Sequence, residues 1–142
     1  MTNRILIADD NLLVRQMLAQ QLEAIGYPNS AKAVNGADAF NQLVEAHEKG
    51  TPFRIVVIDW MMPIMNGLDF LTKCRADPRF SKTAIVMVSA ECEDHNILKS
   101  LEAGATCYLG KPYTVPLLEE KIKQAEQWLK SIESGSKVAS HA

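Results

Sequence analysis

Four consecutive β-branched apolar residues, Ile55 to Ile58, run directly into the carboxylate of Asp59. An uninterrupted apolar strand is typical of a parallel sheet that helices cover on both faces. Functional sites in such sheets lie just beyond the carboxyl ends of the strands. The stretch therefore makes Asp59 a candidate for the functional edge of a sheet. Taken alone, this strand favours a simpler interpretation, in which Asp59 begins a turn before Pro63.

Four further apolar segments have the length of strands, and they alternate with segments whose apolar residues recur at helical spacing. The predicted strands cover residues 3–8, 30–34, 54–59, 83–89 and 105–109. The predicted helices cover roughly residues 11–26, 35–49, 66–76, 94–104 and 114–132. This alternation predicts a parallel sheet with helices on both faces, because each crossover returns the next strand alongside its predecessors.

One domain over residues 1–133 is expected, followed at residues 134–142 by a flexible tail or the start of a linker, since Ser134 to Ala142 contains small and polar residues. A formal net charge of -2 provides no basic surface for nucleic acid. No apolar run approaches the roughly 18 to 20 residues that span a bilayer, and the first residues do not resemble a signal peptide. We therefore expect a cytoplasmic protein without membrane insertion. Cys74, Cys92 and Cys107 are widely spaced and odd in number, as expected for reduced thiols.

Polar side chains end or follow four of the five predicted strands: Asp9 and Asp10, Asp59, Ser89 and Lys111. Carboxylate oxygens suit Mg²⁺, and clustered aspartates need a positive charge among them. A lysine ammonium and a serine hydroxyl both bind phosphoryl oxygens. Because carboxylates form aspartyl phosphates, the set predicts a site at which Asp59 accepts a phosphoryl group with Mg²⁺. Taken singly, the acidic pair and Ser89 also fit helix caps, and Lys111 also fits a surface lysine.

Several motifs lie at or near the predicted strand ends: Asp9-Asp10, Asp59 to Pro63 followed by Asn66-Gly67, Ser89-Ala90, and Tyr108 three residues before Lys111-Pro112. Taken together, these motifs resemble the receiver domain of two-component response regulators, especially the single-domain chemotaxis type. The resemblance covers about Arg4 to Ile132. It implies a flavodoxin-like, doubly wound α/β fold with a five-stranded parallel sheet of order 2-1-3-4-5 and five helices.

The resemblance also implies a role for each matching residue at the metal site. Asp59 would be the phosphoacceptor, Asp10 a direct Mg²⁺ ligand and Asp9 a ligand through water. The main-chain carbonyl of Met61 would be a further ligand, and Lys111 would bind the phosphoryl oxygens.

Two further residues would report the modification. Ser89 would move toward the phosphoryl group, and Tyr108 would turn inward into the space that Ser89 leaves. The Lys111–Pro112 peptide bond would be cis. Met61 and Glu91 occupy positions that tune the rate of dephosphorylation in this family.

These roles imply a phosphorylation-activated signalling switch that catalyses its own phosphoryl transfer and dephosphorylation and is not otherwise an enzyme. A histidine kinase or phosphotransfer protein would be the donor, since His47, His95 and His141 show no catalytic spacing. The surface of the fourth helix, fifth strand and last helix would then bind a downstream target protein.

A free-standing receiver and the amino-terminal receiver of a longer regulator or hybrid kinase both remain open. Trp128 lies off the apolar stripe of the last helix, so both a monomer and a weak dimer are possible.

Three related site types fit the sequence less well. A flavodoxin-like protein needs a hydroxyl- and glycine-rich phosphate loop where this chain has Asp9 to Leu13. A phosphatase with an aspartyl nucleophile usually has a second acid two residues on, where this chain has Met61. The segment from Gly104 to Pro112 lacks the spacing and the final hydroxyl residue of a nucleotide-binding P-loop.

Overall fold

The computed structural model describes residues 4–90 and 94–133, and these residues form a five-stranded parallel sheet with five helices. The strands are β1 (Ile5–Ala8), β2 (Ala31–Ala33), β3 (Ile55–Asp59), β4 (Ala84–Ser89) and β5 (Cys107–Gly110). The helices are α1 (Leu12–Ala24), α2 (Gly36–Glu48), α3 (Gly67–Ala76), α4 (Asp94–Glu102) and α5 (Val115–Glu133). Glu91, Cys92 and the predicted tail from Ser134 to Ala142 lie outside the described residues.

The strand order is β2-β1-β3-β4-β5, and every neighbouring pair is parallel. This order confirms the predicted doubly wound fold. The fifth strand begins two residues later than predicted, because the N–H of Ala105 donates to the carbonyl of Ser100 and closes α4. Thr106 still joins the sheet edge, where its hydroxyl oxygen accepts from the N–H of Ile85.

The sheet separates two apolar layers, and the side chains of its central strand β3 alternate between them. Val56 and Ile58 pack on one side with residues of α2 and α3. Ile55 and Val57 pack on the other with residues of α1 and α5. With both faces covered, polar atoms of the sheet reach solvent at the strand ends, and Asp59 is at such an end.

Within residues 4–90 and 94–133, no helix combines the length and the apolar character that crossing a membrane requires.

Helix α3 packs directly against the chain that leaves β3. The N–H of Gly67 donates to the carbonyl of Trp60 at 2.9 Å. A Cβ at Gly67 would lie 2.6 Å from the carbonyl oxygen of Asp59 and 3.0 Å from the Cα of Trp60. Backbone atoms cannot rotate away as a side chain does, so only glycine permits this approach.

We therefore expect Gly67→Ala to lower the free energy of unfolding by about 1–3 kcal/mol, the usual range for overpacking. The added methyl group should also shift the emission of Trp60, measured in a Trp128→Phe background alongside urea unfolding. Gly26→Ala is the control, because Gly26 has φ +102 but open space around it. It should lose stability through backbone strain alone and leave the Trp60 spectrum unchanged. Normal stability and a normal spectrum in Gly67→Ala would contradict the close packing.

Candidate functional site

Three aspartates meet at the carboxyl edge of the sheet, as the sequence predicts. Asp9 and Asp10 follow β1, Asp59 ends β3, and one carboxylate oxygen from each lies within 4.8 Å of the other two. Asp9 is buried, Asp59 is half-buried and Asp10 is exposed. The cluster therefore has one open side, formed by Asp10.

Lys111 provides the positive charge in this cluster. Its Nζ lies 3.0 Å from Oδ1 of Asp59 and 3.6 Å from Oδ2 of Asp9. The residue follows β5, and its own N–H donates to the carbonyl of Ser89 at 2.9 Å, which fixes its backbone beside β4. The Lys111–Pro112 peptide bond is cis, in agreement with the resemblance.

Burial and the neighbouring charges act on Asp59 in opposite directions. Burial is the larger effect and raises the pKa of Asp59, Lys111 lowers it, and the charges of Asp9 and Asp10 raise it further. Burial acts to lower the pKa of Lys111, but the hydrogen bond to Asp59 and the charges of Asp59 and Asp9 outweigh it, so that this pKa is raised. The lysine is therefore charged at neutral pH, while ionisation of Asp59 is disfavoured by its surroundings.

The two residues expected to report phosphorylation lie on adjacent strands. Ser89 ends β4 and is buried, and β4 pairs Ser89 with Gly110 of β5. Tyr108 lies two residues earlier on β5 and is 9% exposed, so its ring already packs with the apolar layer of α2 and α3. The structure thus has Tyr108 in a buried position.

The loop between β3 and α3 carries Met61, whose side chain is 64% exposed. Two backbone contacts hold the far part of this loop: the N–H of Gly36 donates to the carbonyl of Met65, and the N–H of Met65 donates to the carbonyl of Pro63. Between them Ile64 has φ 70, a left-handed conformation that is unusual for a β-branched residue. The loop is thus tied to α2 as well as to α3.

Sequence reasoning missed three residues that support the site. The N–H of Asn11 donates to Oδ1 of Asp9 at 2.8 Å, and Nη1 of Arg15 donates to the carbonyl of Asp9 at 2.7 Å. The first contact is an Asx-turn, the bond that an aspartate side chain forms with the backbone N–H two residues on. The third residue is Tyr113, whose hydroxyl donates to Oε1 of Gln21, and no local signal connects residues so far apart in the chain.

Residues 5–123 match the sequence profile of the family described as response regulator receiver domain. The chain therefore belongs to the response regulator receiver domains. A protein of this type is a phosphoacceptor and a phosphorylation-activated signalling switch.

Two relatives share about a third of their residues with this chain. Chemotaxis protein CheY of Pseudomonas aeruginosa is 36% identical over 121 residues, which cover 85% of this chain and 94% of the relative. Chemotaxis protein CheY1 of Helicobacter pylori is 32% identical over 120 residues, which cover 84% and 94%. A solved CheY-like receiver domain protein from Methanospirillum hungatei has a TM-score of 0.77 and 27% identity, with 92% of this chain and 99% of that chain covered.

The raised pKa of Asp59 has a consequence for stability without metal. A carboxyl whose pKa is raised on folding stabilises the fold fully below its unfolded value, near 3.8, and loses that contribution as pH rises through the folded value. We therefore expect Asp59→Asn to be more stable than the wild type near neutral pH in a chelating buffer. The gain should shrink as the pH falls toward 3.8. Lys111 keeps one carboxylate partner in the variant, since Asp9 lies within 3.6 Å of it.

The measurement is urea unfolding over a series of pH values. Asp69→Asn is the control, because Asp69 is exposed and lies in the first turn of α3, where a negative charge favours the helix. It should show no gain at neutral pH. An Asp59→Asn variant no more stable than the wild type at neutral pH would contradict the assignment of Asp59 as a disfavoured charge.

Proposed function

We propose that Asp59 accepts a phosphoryl group from a histidine kinase or histidine phosphotransfer protein, with Mg²⁺ bound beside it. The observation that carries this proposal is the convergence of three carboxylates within 4.8 Å, with the Lys111 ammonium 3.0 Å from Asp59. The proposed receiver unit is residues 1–133. Its site residues are those that match the family motifs: Asp9, Asp10, Asp59, Met61, Ser89, Tyr108 and Lys111.

The donor set fits Mg²⁺, which takes hard oxygen ligands and keeps several waters. Asp10 and Asp59 would bind it directly, Asp9 through water and Met61 through its main-chain carbonyl. The exposed side of the cluster at Asp10 leaves room for those waters. Bound there, the metal would supply positive charge that offsets the carboxylates and the phosphoryl oxygens.

In the proposed transfer, a carboxylate oxygen of Asp59 attacks the phosphorus of a phosphohistidine. The new P–O bond forms as the P–N bond breaks, and the imidazole leaves with the bonding electron pair. Lys111 moves from pairing with the carboxylate to pairing with the phosphoryl oxygens. Such transfer depends mainly on positioning and charge stabilisation, which this chain's own residues provide. Later attack by water returns the Asp59 carboxylate and releases phosphate.

The proposed output is a change in the surface formed by α4, β5 and α5. Phosphorylation adds a charge of about -1.5 to -2, which the Ser89 hydroxyl and Lys111 can bind. A groove of about 480 Å³ lies on this surface and is lined by Ile97, Leu101, Tyr108 and Leu117, among others. Movement of Tyr108 with Ser89 would change the shape of this groove and its affinity for a target protein. Converting a 1:99 population to 99:1 takes about 5.5 kcal/mol of differential stabilisation.

Both relatives are named chemotaxis proteins, which supports a target in the chemotaxis machinery. The aligned segments cover 94% of each relative, so the relatives have little sequence beyond the receiver. We therefore propose a receiver that acts on a separate target protein. A receiver that belongs to a longer regulator or a hybrid kinase is the alternative, and its output would pass to a covalently attached domain. The sequence of the complete gene distinguishes the two.

Trp60 provides a test of whether Asp59 binds a phosphoryl mimic, because it is the next residue and is only 9% exposed. We expect beryllofluoride with Mg²⁺ to change Trp60 fluorescence saturably in a Trp128→Phe background. Asp59→Asn should abolish the response, because the amide lacks the negative charge and the second oxygen of the carboxylate. Asp69→Asn should retain it. A full response in the Asp59→Asn variant would sink the proposal.

Metal binding should also be visible as stabilisation, since a ligand that binds only the folded chain adds to its free energy of unfolding. The gain is about 2.7 kcal/mol at one hundred times the dissociation constant. We expect Mg²⁺ to raise the wild-type urea midpoint accordingly, and Asp10→Asn to require much more Mg²⁺ for the same gain. Asp69→Asn serves again as the matched control. An identical Mg²⁺ dependence in wild type and Asp10→Asn would argue against a metal at this cluster.

A further inference from the structure

The loop from Lys111 to Thr114 joins β5 to α5 and is tied to α1 by one long-range hydrogen bond. The hydroxyl of Tyr113 donates to Oε1 of Gln21 at 2.9 Å, across 92 residues of sequence. The Tyr113 side chain is half-buried and packs against the apolar layer of α1 and α5. Tyr113 therefore connects the loop that carries Lys111 to a helix on the same face of the sheet.

The other end of this loop is fixed to the sheet. The N–H of Lys111 donates to the carbonyl of Ser89 at 2.9 Å, so that β4 holds the residue at its backbone. The lysine stem is long and flexible, and a backbone anchor on one side leaves its direction weakly restrained. The bond from Tyr113 to Gln21 supplies an anchor on the opposite side, two residues further along the chain.

The same helix also supports the acidic side of the site. Nη1 of Arg15 donates to the carbonyl of Asp9 at 2.7 Å, and the N–H of Asn11 donates to the Asp9 carboxylate. Helix α1 thus contacts Asp9 through Arg15 and the lysine loop through Gln21. The same helix is therefore bonded to Asp9 and to the loop that carries Lys111, whose Nζ lies 3.6 Å from Oδ2 of Asp9.

Burial and the charges of the site both act on the Tyr113 phenol. Burial is the larger effect and raises the pKa of Tyr113, and the charges of Lys111 and Asp9 act on it in opposite directions. The phenol therefore stays protonated at neutral pH and remains a hydrogen-bond donor to Gln21.

We propose that Tyr113 is a positioning residue for phosphoryl transfer, whose hydroxyl bond to Gln21 holds the Lys111 ammonium in place for the phosphoryl oxygens. The inference rests on the proposed function, in which Lys111 binds these oxygens. Tyr113 itself touches neither the phosphoryl group nor the metal. Its ring contributes packing to α1 and α5, and its hydroxyl contributes the alignment of the loop.

The test separates the hydroxyl from the ring and the lysine from the metal. Tyr113→Phe keeps the ring and removes the donor, and Gln21→Leu removes the acceptor from a helix that accepts leucine well. Both are made in a Trp128→Phe background, and Trp60 fluorescence reports binding of Mg²⁺ alone and of beryllofluoride at saturating Mg²⁺. We expect each variant to bind beryllofluoride roughly two- to tenfold more weakly, the range that loss of one hydrogen bond gives. Affinity for Mg²⁺ should be unchanged, because its proposed ligands are Asp9, Asp10, Asp59 and Met61.

Combining the two substitutions should weaken beryllofluoride binding no further than either alone, because both remove the same bond. Tyr27→Phe is the matched control: Tyr27 follows the C-terminal end of α1, and burial and Glu126 of α5 raise its pKa. It should bind both ligands as the parent does.

Normal beryllofluoride affinity in Tyr113→Phe overturns the inference, and so does an equal loss of affinity for Mg²⁺ and beryllofluoride, which marks general loosening of the site. In both cases the parent chain still responds to beryllofluoride, so the proposed function stands. A parent chain without any Mg²⁺-dependent response to beryllofluoride would instead refute the proposed function and this inference together.

Discussion

The repulsion among Asp9, Asp10 and Asp59 is the constraint on which the site depends. Three carboxylates with oxygens within 4.8 Å of one another are stable only if positive charge or hydrogen-bond donors lie among them. The chain meets this requirement with the ammonium of Lys111, which lies between Asp59 and Asp9. It adds the N–H of Asn11, which donates to Asp9 at the start of α1, where the helix dipole also favours negative charge.

The parallel sheet is what brings these groups together. Residues that lie far apart in the chain meet because β1, β3 and β5 all end at the same edge, and the covering helices leave that edge open. The register of β3 against β4 places Asp59 beside Val88, one residue before Ser89, so the acceptor and the proposed reporting hydroxyl are near neighbours. Close packing of Gly67 on the backbone of Asp59 and Trp60 then fixes the exit of β3.

Sequence reasoning reached the strand ends because an apolar run that stops at a polar residue is a local signal. Asp9, Asp59, Ser89 and Lys111 could each be found in this way, and their convergence followed from the parallel topology. The strand order had a different source: it came from the family resemblance, since periodicity gives no order. Tyr113 was missed because its partner Gln21 lies 92 residues away and neither residue carries a motif. The buried position of the Tyr108 ring was likewise beyond the sequence, because a side-chain rotamer depends on packing from several elements.

The same surroundings that make Asp59 an unfavourable charge fit the proposed phosphorylation of this residue and the proposed transmission of that signal. Before phosphorylation, burial opposes ionisation of Asp59, and Lys111 divides its charge between two carboxylates. A phosphoryl group carries more charge than the carboxylate and extends farther from the strand, so it competes for Lys111 more strongly than Asp9 does. The loop that carries Lys111 is bonded through its backbone to Ser89 and through the Tyr113 hydroxyl to α1. The proposed phosphoryl ligand therefore belongs to a loop that contacts the end of β4 and leads into α5, and both border the surface proposed to bind the target.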